Sequence, residues 1–182
     1  MILARVRCSR GESRGFTLLE LVLVMAVIGL LAAMVVPRLS VLRGASLDAS
    51  ARQLSARLYT LREEAGLRGQ TIRVEVDPQR GGYRASVLVQ TTSGARYVDI
   101  ADPLFKPIAL PESIGIDLVG PGVVTSSNGL PSTVFFADGY ADPAVFYLDD
   151  GAGGAFTIVV DPVTSRPRVL DGRIDARRLI EQ

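Results

Sequence analysis

From Phe16 to Val36 the chain carries a single charged residue, Glu20. At ~1.5 Å per residue such a run makes a helix of roughly 30 Å, about the hydrocarbon thickness of a bilayer. Ahead of it Arg5, Arg7, Arg10 and Arg14 stand against Glu12. That basic excess keeps the N-terminus cytoplasmic and sends the chain beyond Val36 outward. A cleaved secretory signal is the competing account, but the apolar run exceeds the ~7–15 residues such signals use. Apolar Val35-Val36 also continues past Ala32-Ala33-Met34, the nearest approach to a small-x-small cleavage site. A plain anchor leaves Glu20 unexplained. A carboxylate one turn inside an apolar helix is expensive, and it calls for a cation at the same depth.

Gly15-Phe16-Thr17-Leu18-Leu19-Glu20 at the head of this run resembles the class III signal of type IV pilins and type II secretion pseudopilins. The resemblance implies a prepilin peptidase that cuts after Gly15 and methylates the new terminus, Phe16. It also supplies the missing cation, because Glu20 would pair with the Phe16 amine of a neighbouring subunit. Two buried charges neutralise each other only in the correct axial register, so the pair would set the assembly. Pro37, which removes a backbone donor and crowds the preceding turn, is expected to kink the helix or end it. In pilin-like proteins this proline lies where the helix leaves the membrane.

Composition narrows the rest. The chain has 20 basic and 19 acidic side chains, and removal of residues 1–15 leaves 16 and 18. That balance makes no case for general nucleic-acid binding. The sole cysteine, Cys8, falls in the leader, so no intramolecular disulfide can form. With no histidine in the chain, His-based general-base chemistry and His metal ligation are excluded.

Downstream of Pro37, Leu47, Ala51, Leu54, Leu58, Leu61 and Ala65 recur at spacings of four and three, one stripe on a helix over about 38–68. Asp48–Arg52 and Glu64–Arg68 add acid-before-base pairs, and Gly69 sits where a helix-ending glycine belongs. Period two then takes over. Ile72, Val74 and Val76 alternate with polar residues up to Pro78-Gln79-Arg80-Gly81-Gly82, and Tyr83, Ala85, Val87 and Val89 form the returning strand. Residues 92–131, punctuated by Pro103, Pro107, Pro111, Pro121 and Pro131, read as irregular structure with one or two short strands. As an exposed irregular stretch this region is the place to expect partner contact. Strands come next at 133–137, 144–148, 156–160 and 168–170, joined by Asp-Gly turns. The tail from Asp171 reads as a helical turn or no regular structure.

The expected fold is α+β and type IV pilin-like, with a long N-terminal helix packed on an antiparallel β-sheet. Its expected divisions are a leader (1–15), a transmembrane segment (16–37), the periplasmic half of the helix (38–69) and a β-rich domain (70–182). Arg62-Glu63-Glu64-Ala65, Gly81-Gly82-Tyr83, Phe135-Phe136-Ala137-Asp138-Gly139, Phe146-Tyr147-Leu148 and Ile158 through Thr164 are similar to the GspH/FimT group. That likeness implies a minor pseudopilin of a type II secretion system, in the inner membrane with its domain in the periplasm. Its implied partners are prepilin peptidase and the other major and minor pseudopilins of a helical fibre. The alternative is a FimT/FimU-like minor pilin of a type IV pilus.

No catalytic, metal or cofactor residue is expected. Ser126-Ser127-Asn128-Gly129 has nucleophilic side chains but nothing to activate them, and Lys106 is the only lysine. Asp149 and Asp150 are adjacent rather than alternate and lack a following bidentate Glu, so they read as a hairpin loop and not a Ca²⁺ site. Asp138 and Asp142 read as turn residues. Arg166, Arg168, Arg173, Arg177 and Arg178 form the one site-like basic cluster. With Asp171, Asp175 and Glu181 among them they read first as a solvated face, and otherwise as contacts to nucleic-acid phosphates.

Overall fold

The computed structural model describes residues 17–161 and 164–180, and for residues 34–43, 178 and 180 the backbone alone. The chain forms two compact units, residues 1–40 and 41–182. One helix, α1 (Leu18–Arg68), belongs to both. It stays helical through Pro37, so that residue is not a helix end. Thr17 caps its start, accepting the Glu20 amide on its hydroxyl at 3.2 Å. At the other end Gly69 takes φ +60, while Gln70 N–H reaches the Ala65 carbonyl at 3.0 Å and Gly69 N–H reaches that of Gly66 at 3.4 Å. These two bonds satisfy carbonyls that the helix end would otherwise orphan. Gly69→Ala should therefore cost about 1 kcal/mol. Thermal unfolding of the full chain in detergent should show it as a loss of roughly 3 °C.

The second unit is built on the leucine stripe. Leu47, Ala51, Leu54, Leu58, Leu61 and Ala65 are all at most 2% exposed. Each leucine gains about 2 kcal/mol from burial. The stripe shares one core with Ile72, Val74 and Val76 of β1 (Ile72–Asp77) and with Tyr83, Ala85 and Val87 of β2 (Gly82–Thr91). The expected i,i+4 pairs form as well, Arg52 to Asp48 at 2.9 Å and Arg68 to Glu64.

Residues 92–131 hold more order than their sequence suggests. They contain β3 (Gly94–Val98), a short 3₁₀ turn (Pro103–Phe105), β4 (Ile108–Ala109), β5 (Gly115–Val119) and β6 (Val124–Thr125). Then come β7 (Pro131–Phe135), β8 (Ala144–Asp149), β9 (Ala155–Val160), β10 (Pro167–Asp171) and a terminal helix, α2 (Ala176–Ile180). The strands make two antiparallel sheets rather than one: β3-β2-β1-β7-β6 with β4 added to β2, and β10-β9-β8-β5. The prolines do break the run, but pieces between them pair with distant strands, β4 with β2 and β5 with β8. Local periodicity carries no signal for such pairings.

The turn between β1 and β2 shows how one wall is set. Asp77 accepts the amides of Gln79 and Arg80 at 3.1 and 3.0 Å, closing the turn. A Cβ at Gly82 would stand 2.7 Å from the Ile108 carbonyl oxygen, so only glycine lets β4 approach. Arg57 reaches across from α1 to the carbonyls of Pro103 and Lys106 at 3.1 and 3.0 Å, holding the segment before β4.

Candidate functional site

The front of α1 presents an apolar surface on every side. Leu18, Leu19, Leu21, Val22, Leu23 and Met25 are all exposed, and so are Val27, Ile28, Leu30 and Leu31. A helix apolar all round needs a covering of lipid or of other helices. Glu20 is the one charge among these described residues, lies in the first turn and is exposed. Thr17 and Glu20 stand at the N-cap and third positions, the spacing of a capping box. Gly15 and Phe16 lie outside the described residues. Among the described residues no helix is long and apolar enough to cross a membrane. The apolar run of the sequence extends beyond them, from Phe16 and through the side chains of residues 34–36.

The terminal arginines fall in different elements. Arg166 lies in the β9–β10 turn, Arg168 in β10 and Arg177 in α2, all three exposed. Arg178 is in α2, with its backbone alone described. Arg173 is engaged within the protein. Its guanidinium lies 4.4 Å from the Tyr147 ring centre, 3.8 Å from Asp117 and 3.9 Å from Asp149. It thereby helps fasten the chain beyond β10 over the outer face of the second sheet, where Val145, Tyr147 and Val159 are buried with Leu170, Ala176 and Leu179 packed on them. The Tyr147 hydroxyl donates to the Ile174 carbonyl at 2.6 Å. The buried Thr157 hydroxyl donates to Gly172 at 2.6 Å and accepts the Ile174 amide at 3.0 Å.

The acids of the hairpin loops serve the backbone. Asp150 accepts the amides of Ala152 and Gly154, each at 2.9 Å, and Asp138 accepts that of Tyr140 at 3.2 Å. Among the described residues no three His, Cys, Asp or Glu side chains gather as metal ligands.

One charged group escapes a reading by alternation. Glu75 sits on the β1 face opposite the leucine stripe, yet its side chain is only 1% exposed. Arg73 reaches it at 3.0 Å and Arg84, directly opposite in β2, at 2.6 Å. Asn128 donates to it at 3.4 Å, and the buried Ser126 hydroxyl, which also accepts the amides of Asn128 and Leu130, faces it. Arg73 in turn stacks on Tyr97 of β3 at 3.9 Å. Burial alone would raise the carboxyl pKa, but the Ser126 and Arg84 hydrogen bonds and the charges of Arg73 and Arg84 outweigh it and hold the value below the usual range. The signal available in the sequence is Arg73 and Glu75 on one strand with Arg84 facing them across the hairpin. Its cover, from Ser126 on, lies some 50 residues downstream.

A long helix with an exposed apolar front and a leucine stripe buried against antiparallel sheets defines a type IV pilin-like subunit. The chain belongs to the family of type II transport protein GspH, whose model matches residues 50–168, and the prokaryotic N-terminal methylation motif matches residues 10–36. It is thus a minor pseudopilin of the type II secretion system. Among solved structures it is similar to the minor pseudopilin EpsH from the type 2 secretion system of Vibrio cholerae. That match has 20% identity and a TM-score of 0.54, covering 69% of this chain and 97% of that one. Escherichia coli GspH matches with 20% identity and a TM-score of 0.56, over 71% and 91% of the two chains. The type IV minor pilin FimU of Pseudomonas aeruginosa is more distant, with 17% identity and a TM-score of 0.47 over 68% and 92%. No curated protein matches the chain in sequence.

Proposed function

We propose that this pseudopilin waits in the inner membrane as a single-pass protein, anchored by residues 16–37, with residues 38–182 in the periplasm. Prepilin peptidase removes residues 1–15 after Gly15, and Phe16 becomes the methylated terminus. The subunit then joins a short helical fibre of major and minor pseudopilins that drives folded exoproteins outward. Its role is structural and not catalytic. The observation that carries this reading is the all-round apolar front of α1 with Glu20 as its one charge. Such a surface is stable in lipid before assembly and among like helices after it. A FimT/FimU-like pilus role is not favoured, because the family matched over residues 50–168 is GspH. Nucleic-acid contact through Arg166, Arg168, Arg177 and Arg178 loses support once Arg173 is tied to Tyr147 and two acids.

The test is the location of a normally exported enzyme in a strain lacking this chain. Accumulation in the periplasm is expected, with export restored by the wild-type chain and not by Gly15→Ala, which the peptidase should leave uncut. Unimpaired export in the deletion strain would overturn the secretion role. A mature N-terminus at Phe16 in the Gly15→Ala protein would overturn the processing step.

A further inference from the structure

Beyond Phe135 the chain of β7 turns back on itself. Phe136 N–H reaches the Tyr140 carbonyl at 2.8 Å and Asp142 N–H reaches that of Val134 at 2.9 Å. Tyr140 therefore stands opposite Phe136, and Asp142 opposite Val134. On the other side of β7 the register that pairs Phe135 with Ile72 sets Phe136 beside Thr71. Leu88 N–H reaches the Thr71 carbonyl at 2.9 Å, and Leu88 in turn pairs with Tyr97 of β3. Ala141, Phe135, Ile72 and Val87 point into the core. Their chain neighbours Tyr140, Phe136, Thr71 and Leu88, with Tyr97, thus form one row on the opposite face of the first sheet. Tyr140 is 60% and Phe136 37% exposed, side by side.

The charges beside the row point to what would cover it. Asp142 is half-buried two residues along from Tyr140 on the same face, and Asp138 is exposed in the turn between Phe136 and Tyr140. Among the described residues neither acid forms an ion pair. Burial raises the Asp142 pKa, with no nearby charge to offset it. A partly desolvated carboxylate without a partner favours an arriving cation. Aromatic faces favour one too, and a planar guanidinium stacks on them better than an ammonium. The same row already holds an example, since Arg73 lies 3.9 Å from the Tyr97 ring centre, but its charge is taken up by Glu75. Among the described residues no cation lies over Phe136 or Tyr140. A nucleic acid or an anionic lipid would instead bring phosphates against two carboxylates. We propose that Tyr140, Phe136 and Leu88, edged by Asp138 and Asp142, dock a partner protein's segment in which an arginine stands beside an aliphatic side chain.

The probe is the capped tripeptide acetyl-Leu-Arg-Leu-amide, titrated into the isotope-labelled full chain in detergent micelles, with the amide resonances of residues 136–142 as the readout. The same peptide with citrulline in place of arginine, alike in shape but uncharged, and single-stranded oligothymidylate serve as comparisons. The arginine peptide should shift those resonances, with the citrulline peptide about tenfold weaker for want of the cation. Tyr140→Ala, at an exposed position, should weaken binding about fivefold. Asp142→Asn should weaken it at least as much while the thermal unfolding midpoint holds or rises, because the carboxylate it removes has no ion-pair partner to lose. Equal affinity for the two peptides, no binding of either, or shifts confined to other residues would overturn the proposal. So would tighter binding of the oligonucleotide, or undiminished binding to either variant.

Discussion

Glu75→Ala is expected to destabilise the second unit by about 3 kcal/mol, near the lower end of what breaking a buried ion pair costs. Removing the carboxylate leaves Arg73 and Arg84 facing one another without their shared anion, and only Arg84, at 33% exposed, can turn partly to solvent. Denaturant unfolding of the full chain in detergent should show the loss as a lower midpoint at unchanged slope. A companion variant separates charge imbalance from mere loss of packing. Replacing all three, with Arg73→Leu, Glu75→Leu and Arg84→Met, should recover most of the stability, since well-packed apolar groups often replace a buried ion triad at no cost. A triple variant as unstable as Glu75→Ala would mean the network contributes more than the balance of its own charges. The pH dependence has a definite sign. The native pKa of Glu75 is depressed, so its stabilisation is complete above the unfolded value of about 4.3 and is lost as pH falls through the native one. Wild-type stability should decline below about pH 4, and Glu75→Gln should lack that part of the decline.

Glu20 carries the second large effect. In the proposed fibre its carboxylate meets the Phe16 amine of a neighbour among apolar helices, and leaving that amine unpaired should cost about 3–5 kcal/mol at each contact. Glu20→Ala should therefore be processed normally yet enter the fibre about a hundredfold to several thousandfold less well. The fraction of subunit crosslinked into fibres, against that left in membranes, measures this. Glu20→Gln is the sharper variant. At the third helical position glutamine serves a capping box as well as glutamate does but has no charge, and the observed bond from its backbone amide to the Thr17 hydroxyl is kept. Poor incorporation of Glu20→Gln is the expected result, and normal incorporation would assign Glu20 to helix capping alone.

The parts of the fold visible in the sequence are those fixed by neighbours in the chain. The four-three spacing from Leu47 to Ala65 marks a helix face wherever that helix packs, and Gly69 ends it through its own backbone freedom. The strands from Ile72 and Gly82 come from alternation and a turn of Asp77 through Gly82. The division into two sheets is not legible in this way, because it depends on β5 finding β8 about 30 residues on and β7 pairing β1 some 60 residues back. The burial of Glu75 is hidden for the same reason. Alternation places it correctly opposite the core face, but whether that face is wet depends on Ser126 and Asn128, which lie just ahead of β7 and come near when β7 pairs with β1. The N-terminal methylation motif is legible because it is one contiguous stretch, residues 10–36, that needs no partner from elsewhere in the chain.

The fastening of the C-terminal segment bears on how the protein matures. Thr157, Tyr147 and Arg173 hold residues 172–174 with hydrogen bonds, a ring stack and ion pairs. A chain whose one cysteine is Cys8 closes this end without any covalent clasp. Closing this end of the fold therefore needs no oxidoreductase, cannot be trapped by mispaired thiols, and proceeds alike in oxidising and reducing surroundings.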